Sequence, residues 1–360
     1  MLIVAIAERR TEFKKGIDAS EGRRRRTETS IKLRKDKKDE GLAKRRAMLA
    51  APTLPAMDAM AEATPASSDS TSKKIYTVAD IPSLKEKLSQ PNVDEETLLE
   101  VARGFRKMLS VEINPPVNDV LNSGVLPAFV QMLALHDKPK VQFEAAWALT
   151  NIASTDQTRV VVDAGAVPYF VGLLSSPNAE VREQSAWCLG NIAGDSPTLR
   201  DIVLSAGGLQ PLIQNIMSPA SPSLFSNCVW ALSNFCRGKP QPELSSVVDA
   251  VPVLAQILKG DNTDAKVDAL WALSYISDGD DDRIQAVLNS GVAQTLVEIL
   301  GESSSNMVTP ALRTVGNIVS GNDEQTQAII DAGLLSQVKT LLSNPKVSLE
   351  LLFHIELALY

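Results

Sequence analysis

This 360-residue chain is poor in cysteine and histidine, with three and two of them. Its three cysteines, Cys188, Cys228 and Cys236, contain no C-x-x-C pair, so free thiols in a reducing compartment are expected. The two histidines, His136 and His354, lie far apart and suggest no metal site. There is no G-x-x-x-x-G-K-[ST], no G-x-S-x-G and no Cys/His constellation. The chain is therefore read as a non-enzyme with no cofactor and no metal. No apolar run is long enough to span a membrane. Residues 1–8 are apolar but lack the charged n-region and cleavage site of a signal peptide, so no membrane role is expected.

Aromatic residues are scarce at 4%, which makes the placement of the four tryptophans informative. All four occur in one phrase: W-A-L-T-N at 147–151, W-C-L-G-N at 187–191, W-A-L-S-N at 230–234 and W-A-L-S-Y at 271–275. They are spaced 40, 43 and 41 residues apart, a period that marks a stacked helical repeat. A second marker keeps step. Ser123-Gly124-Val125, Ala164-Gly165-Ala166, Ala206-Gly207-Gly208, Ser290-Gly291-Val292 and Ala332-Gly333-Leu334 recur about one period apart, and Ala250-Val251 takes the same place without glycine. Glycine ends one helix, and a following proline (Pro127, Pro168, Pro211, Pro252) suits the first turn of the next. Each unit reads as a short helix, a second helix and a longer helix carrying the tryptophan. The fold class is all-α, a right-handed armadillo-repeat α-solenoid preceded by a basic, largely disordered N-terminal arm.

At about 100° per residue, Val141, Ala145, Ala148, Leu149 and Ile152 share one apolar face, and Trp147 lies roughly 140° from its centre. The core stripe is complete without the aromatic in this helix and in its three counterparts. The tryptophan is therefore expected to project from the surface with the i+4 asparagine beside it. Glu144, Gln184, Asn227 and Asp268, three residues before each tryptophan, join the same stripe. Capping of repeat junctions is the structural alternative; four copies in one register favour a ligand surface. Asparagine amides can pair with the backbone of an extended peptide. Slots between indoles suit long aliphatic stems with cationic tips, at about 0.5–2 kcal/mol per cation–π contact. The expected ligand is an extended basic peptide.

Charge divides along the chain. Residues 1–46 carry 16 basic and 8 acidic residues, and the remainder carries 20 and 35, so a +8 arm is tethered to a −15 body. Either half alone reads as a solvated charged surface, and the opposed signs within one chain add the expectation that the arm docks on the body. Nucleic-acid binding by the arm ranks lower, because only Phe13 interleaves its basic clusters. The organisation is read as a basic arm at 1–46, a flexible Ala/Ser/Thr/Pro linker at 47–75, repeats over 76–345 (six plus a partial seventh) and a divergent apolar tail at 346–360.

These motifs resemble the importin alpha family, adaptors for nuclear localisation signals. The resemblance covers about 9–345 and rests on the W-x-x-x-N ladder, N-I-A-G-D at 191–195, W-A-L-S-Y-I-S-D-G at 271–279 and V-G-N-I-V at 315–319. It implies a major signal groove of Trp147, Asn151, Thr158, Gln184, Trp187, Asn191, Asp195, Trp230, Asn234, Arg237, Asp268 and Trp271, with Asp195 meeting the most deeply bound lysine. It implies a partial minor groove at Arg313 and Asn317. The arm resembles an importin-beta-binding segment, with Arg9, Arg10, Phe13, Lys14, Arg23, Arg24, Arg25, Arg26, Arg34, Lys35, Lys37, Lys38, Lys44, Arg45 and Arg46 as its contacts. Unbound, Lys44-Arg45-Arg46 would occupy the major groove and block cargo until importin beta removes them. Cargo proteins with basic signals and importin beta are the implied partners, and shuttling between cytoplasm and nucleus is the implied localisation. The runner-up is a catenin-like armadillo scaffold for other extended peptides. Two departures stand out. The loop I-A-S-T-D-Q-T after Asn151 is shorter than usual for the family, and the pattern ends where the seventh tryptophan helix is expected. A truncated form is expected, in which export-receptor binding is doubtful.

Overall fold

The computed structural model describes residues 75–111, 114–302 and 304–343. The arm, the linker up to residue 74 and the tail lie outside the described residues. Among the described residues every regular element is helical. They fall into two compact units, one ending at Val292 and the other beginning at Ala293.

The first unit opens with helices Ile81–Leu88 and Glu95–Leu109, then repeats a three-helix plan. Val117–Asn122, Leu126–Met132 and Pro139–Ala153 form one repeat; Thr158–Asp163, Ala166–Leu173 and Ala179–Asp195 form the next; Pro197–Ser205, Leu209–Met217 and Pro222–Phe235 form a third. Local chemistry sets the boundaries. Gly165 ends the Thr158–Asp163 helix at φ 79°, and Gly124, Gly207, Gly291 and Gly333 adopt the same left-handed conformation at the equivalent turns. Side-chain oxygens open the long helices: Asn178 accepts from the amides of Glu180 and Val181, Ser221 from Leu224 and Asn262 from Ala265.

The fourth repeat departs from the expected plan. Its first helix is reduced to a 3-10 turn at Leu244–Ser246 before helices Ala250–Ile257 and Thr263–Ile276. Pro240 and Pro242 supply no amide donors to a helix there, and the left-handed glycine is missing. Helix Asp281–Asn289 closes the unit. The second unit comprises helices Ala293–Ile299, Ser305–Ile318, Asp323–Asp331 and Leu334–Ser343.

The predicted core stripe is buried: Val141, Ala145, Ala148, Leu149 and Ile152 have no exposed surface, nor do Val181, Leu189 and Ile192. Phe105 packs edge-on against Phe129 with ring centroids 5.3 Å apart. Each such side chain contributes about 1.5–3 kcal/mol by leaving water. Stacked repeats share this core, so no repeat buries its apolar face alone. The three thiols are free and buried in it. Burial pushes Cys228 and Cys236 up to about 12 and Cys188 higher still, which suppresses the reactive thiolate.

Candidate functional site

Helices Pro139–Ala153, Ala179–Asp195, Pro222–Phe235 and Thr263–Ile276 pack side by side in chain order. This places the W-x-x-x-N phrases on successive rungs of one ladder. Trp147, Trp187 and Trp230 are half-buried. Asn151, Asn191 and Asn234 are 4–6% exposed, so they line the floor and do not project. Trp271 is 7% exposed and packs 5.9 Å from the Tyr275 ring that replaces the fourth asparagine. The expectation of outward projection is thus corrected for Trp271 and for the three asparagines, whereas the other three indoles keep part of their surface open. A helical wheel locates the core of its own helix, but the ladder side chains also lean on the preceding repeat, as Trp147 does on Arg106 and Asn151 on Ser110.

The covering is closest between the second and third rungs. Trp230 lies over Gly190, where a Cβ would come within 2.2 Å of its ring. Asn234 faces Gly194 and donates from Nδ2 to the Gly190 carbonyl at 3.1 Å. Arg237 donates from Nη2 to the Gly194 carbonyl at 2.7 Å, bracing the end of the same helix. The two glycines therefore form a notch that receives the W-x-x-x-N phrase of the following repeat. Gly190→Ala is expected to cost about 1–3 kcal/mol through overpacking. It should also red-shift tryptophan emission, a shift absent in a Trp230→Phe background. An unchanged melting temperature and spectrum would refute this packing account.

Several ladder atoms are buried without a hydrogen-bond partner: Trp147 Nε1, Asn151 Oδ1, Gln184 Nε2 and both amide atoms of Asn191. Asn151 uses its other atom, Nδ2, to donate to Ser110 Oγ at 3.1 Å. A buried polar atom left unpaired costs about 1–3 kcal/mol, so a row of them on adjacent rungs calls for a partner that supplies donors and acceptors together.

The remaining predicted residues are more varied. Asp195 is exposed at the end of its helix, whereas Gln184 is buried and Arg237 and Asp268 are half-buried. Thr158 is 1% exposed and commits its hydroxyl to the carbonyls of Ala153 and Thr155, at 3.0 and 2.8 Å. Its side chain shapes the wall beside the Trp147 helix and has no proton to donate outward. Arg313 and Asn317 are half-buried on helix Ser305–Ile318 of the second unit. The basic residues from Arg9 to Arg46 lie outside the described residues.

Two features were missed by sequence reasoning. Glu144 is not an open acid: Arg103 and Arg106 both pair with it, Nε to carboxylate at 3.0 and 2.8 Å, and Arg106 also lies 4.4 Å from the Trp147 ring centroid. Glu183, adjacent to the ladder position Gln184, accepts from Asn227 Nδ2 at 2.9 Å and from the Ser223 hydroxyl. Partners 38–44 residues apart leave no local signal. Among the described residues no His/Cys/Asp/Glu group is arranged to hold a metal ion, and no helix is long and apolar enough to cross a membrane.

Comparison with known proteins places this ladder in context. Residues 9–98 match the importin beta binding domain. Residues 114–154, 154–194, 196–237, 242–278 and 280–320 each match the armadillo/beta-catenin-like repeat. The chain is 46% identical over 300 residues to importin subunit alpha-2 of Arabidopsis thaliana, covering 82% of this chain and 54% of the relative. It is 53% identical over 214 residues to importin subunit alpha-1b of Oryza sativa subsp. japonica, covering 59% and 40%. The chain thus spans about half the length of the relatives it matches. Among solved structures, an engineered protein matches with a TM-score of 0.67 at 30% identity, over 78% of this chain and 67% of that one. A designed armadillo repeat protein in complex with the peptide (KR)4 matches at 0.60 and 28%, over 65% and 98%.

Proposed function

The chain belongs to the importin alpha family of armadillo-repeat proteins, and from that premise we propose that it is a nuclear import adaptor. Its ladder binds a Lys/Arg-rich localisation signal as an extended strand. Its arm, residues 9–46, binds importin beta and otherwise competes for the same groove. The adaptor shuttles between cytoplasm and nucleus.

The observation that carries this reading is the row of buried, partnerless atoms on Trp147, Asn151, Gln184 and Asn191. An extended peptide presents a backbone N–H and C=O every ~3.3 Å along each strand residue, so one strand meets donors and acceptors on several rungs. The half-buried indoles of Trp147, Trp187 and Trp230 flank those atoms and offer their open surface to the aliphatic stems and charged tips of lysine and arginine. The exposed carboxylate of Asp195 supplies a counter-charge at the foot of the second rung. That a designed armadillo protein was solved with (KR)4 supports the choice of a basic ligand. Tethering explains the proposed autoinhibition. Lys44-Arg45-Arg46 on a linker acts at an effective concentration of order millimolar, enough to compete with free cargo until importin beta captures the arm.

Titrating a Lys-rich signal peptide into the chain with and without residues 1–50 tests the reading. Deletion should tighten binding by about ten- to a hundredfold, the competition expected of a tethered weak ligand. Trp187→Ala and Asp195→Lys should abolish most of the gain. Equal binding by both forms would refute autoinhibition. Binding of an acidic peptide in place of the basic one would favour the catenin-like scaffold.

A further inference from the structure

We propose that Ser218 is a phosphorylation site, modified by a proline-directed serine/threonine protein kinase with ATP as the phosphoryl donor. The site lies outside the ladder residues, and its assignment stands whether or not the ladder binds a peptide.

Ser-Pro dipeptides occur four times among the described residues, at 176–177, 196–197, 218–219 and 221–222. A kinase that selects proline at the following position grips an extended strand and has no N–H to satisfy there. The target serine must therefore be exposed, with its hydroxyl free of structural duty. Three of the four fail this requirement. Ser176 is 8% exposed, and its Oγ accepts from the Asn178 amide at 3.2 Å. Ser196 and Ser221 are half-buried helix caps, whose Oγ atoms accept from the amides of Leu199 at 3.4 Å and Leu224 at 3.0 Å. Ser218 differs on both counts. It is exposed, as are Met217, Pro219 and Ala220 around it. Only its backbone is engaged with other described residues, through an amide that donates to the Gln214 carbonyl at 3.0 Å.

The surroundings give a new charge weight. No Asp, Glu, Lys or Arg occurs from residue 202 to residue 236, although 22% of the chain is charged. A phosphate carries about −1.5 to −2 charges at neutral pH, and on Ser218 it would be the first charge within that stretch. It lands between two helix ends of opposite polarity. The C-terminal end of Leu209–Met217 disfavours an anion, and the N-terminal end of Pro222–Phe235 attracts one. Modification thus acts at the joint that leads into the helix carrying Trp230 and Asn234. In the transfer itself Ser218 Oγ attacks the γ-phosphorus of ATP. The Oγ–P bond forms and the bond from that phosphorus to the β–γ bridging oxygen breaks. ADP leaves, and the hydroxyl proton passes to the kinase's base.

The test incubates the full chain with a purified proline-directed kinase and Mg-ATP, and maps phosphate by mass spectrometry over time. A synthetic peptide spanning residues 214–224, which contains Ser218 and Ser221 without the fold, is run in parallel. The kinase should modify both serines of the peptide at comparable rates. In the chain Ser218 should be modified about tenfold or more faster than Ser196 and Ser221, because each of those must first give up its cap. Ser218→Ala should remove the signal from this loop. Pro219→Ala should slow modification of Ser218 by about tenfold or more, since a pocket shaped for proline leaves the new N–H unpaired. Equal rates at Ser218 and Ser221 in the chain would overturn the selection by the fold. An unmodified Ser218 in the chain or in the peptide overturns the site, and full-rate modification of Pro219→Ala overturns the kinase class.

Discussion

Asn191→Leu is expected to leave the free protein as stable as the parent, or more stable by up to about 2 kcal/mol, while weakening a basic peptide by about thirtyfold or more. The two effects have one origin. Both amide atoms of Asn191 are buried without a partner in the free chain. Leucine of similar shape removes that unpaired polarity and fills the same space, and replacing an unsatisfied buried group by an apolar one is neutral or favourable. In the proposed complex the peptide would then lose a donor and an acceptor for its backbone at the centre of the ladder. Most buried polar residues behave in the opposite way, losing stability on such a change. Chemical denaturation and peptide titration on the same variant decide the matter. Destabilisation by more than about 1 kcal/mol would mean that the amide is already paired in the free chain. Unchanged affinity would remove Asn191 from the binding surface. Asn234, whose Nδ2 donates to the Gly190 carbonyl at 3.1 Å, is the internal control. Its leucine variant should lose about 1 kcal/mol of stability with that bond.

Arg200→Ala should cost about 3–5 kcal/mol, the combined effect of a large buried cavity and carbonyls stripped of their donor. Arg200 has no exposed surface. Its Nη1 donates to the carbonyls of Arg237 and Pro240 at 2.6 and 3.0 Å, and its Nε donates to Asp201 at 2.8 Å. One side chain thus staples the proline-containing loop after the third tryptophan helix to the helix at 197–205. That loop contains no regular helix until Leu244, so its backbone depends on such clamps, and Arg283 makes a second one to the Pro242 carbonyl. The loop also begins at Arg237, which braces Gly194 beside Asp195, so peptide binding should weaken together with stability. Arg200→Lys keeps the charge but cannot bridge both carbonyls and Asp201 in one plane, and should recover about half of the loss. A loss below about 1 kcal/mol in Arg200→Ala would show that the loop is held by other contacts.

Much of this could be read from residue order. The forty-residue period, the glycines in left-handed turns and the prolines of the second helices all report on bonds made within a few residues. The stripe Val141, Ala145, Ala148, Leu149 and Ile152 also follows from local periodicity, and its burial is complete. The opposite charges of arm and body follow from counting alone.

What residue order could not supply lies between repeats. Whether an indole stands free or leans on a neighbour depends on the side chain about forty residues away. For Trp230 that neighbour is Gly190, which has none. Glu144 is likewise paired with two arginines on the helix three before its own in the chain. Helical periodicity carries the energy of a helix against its own core, and so it fixed the fold and the register of the ladder. The depth of each rung, the pairing of its acids and the atoms left for a ligand depend on where the adjacent repeat comes to rest, which is settled only when the stack forms.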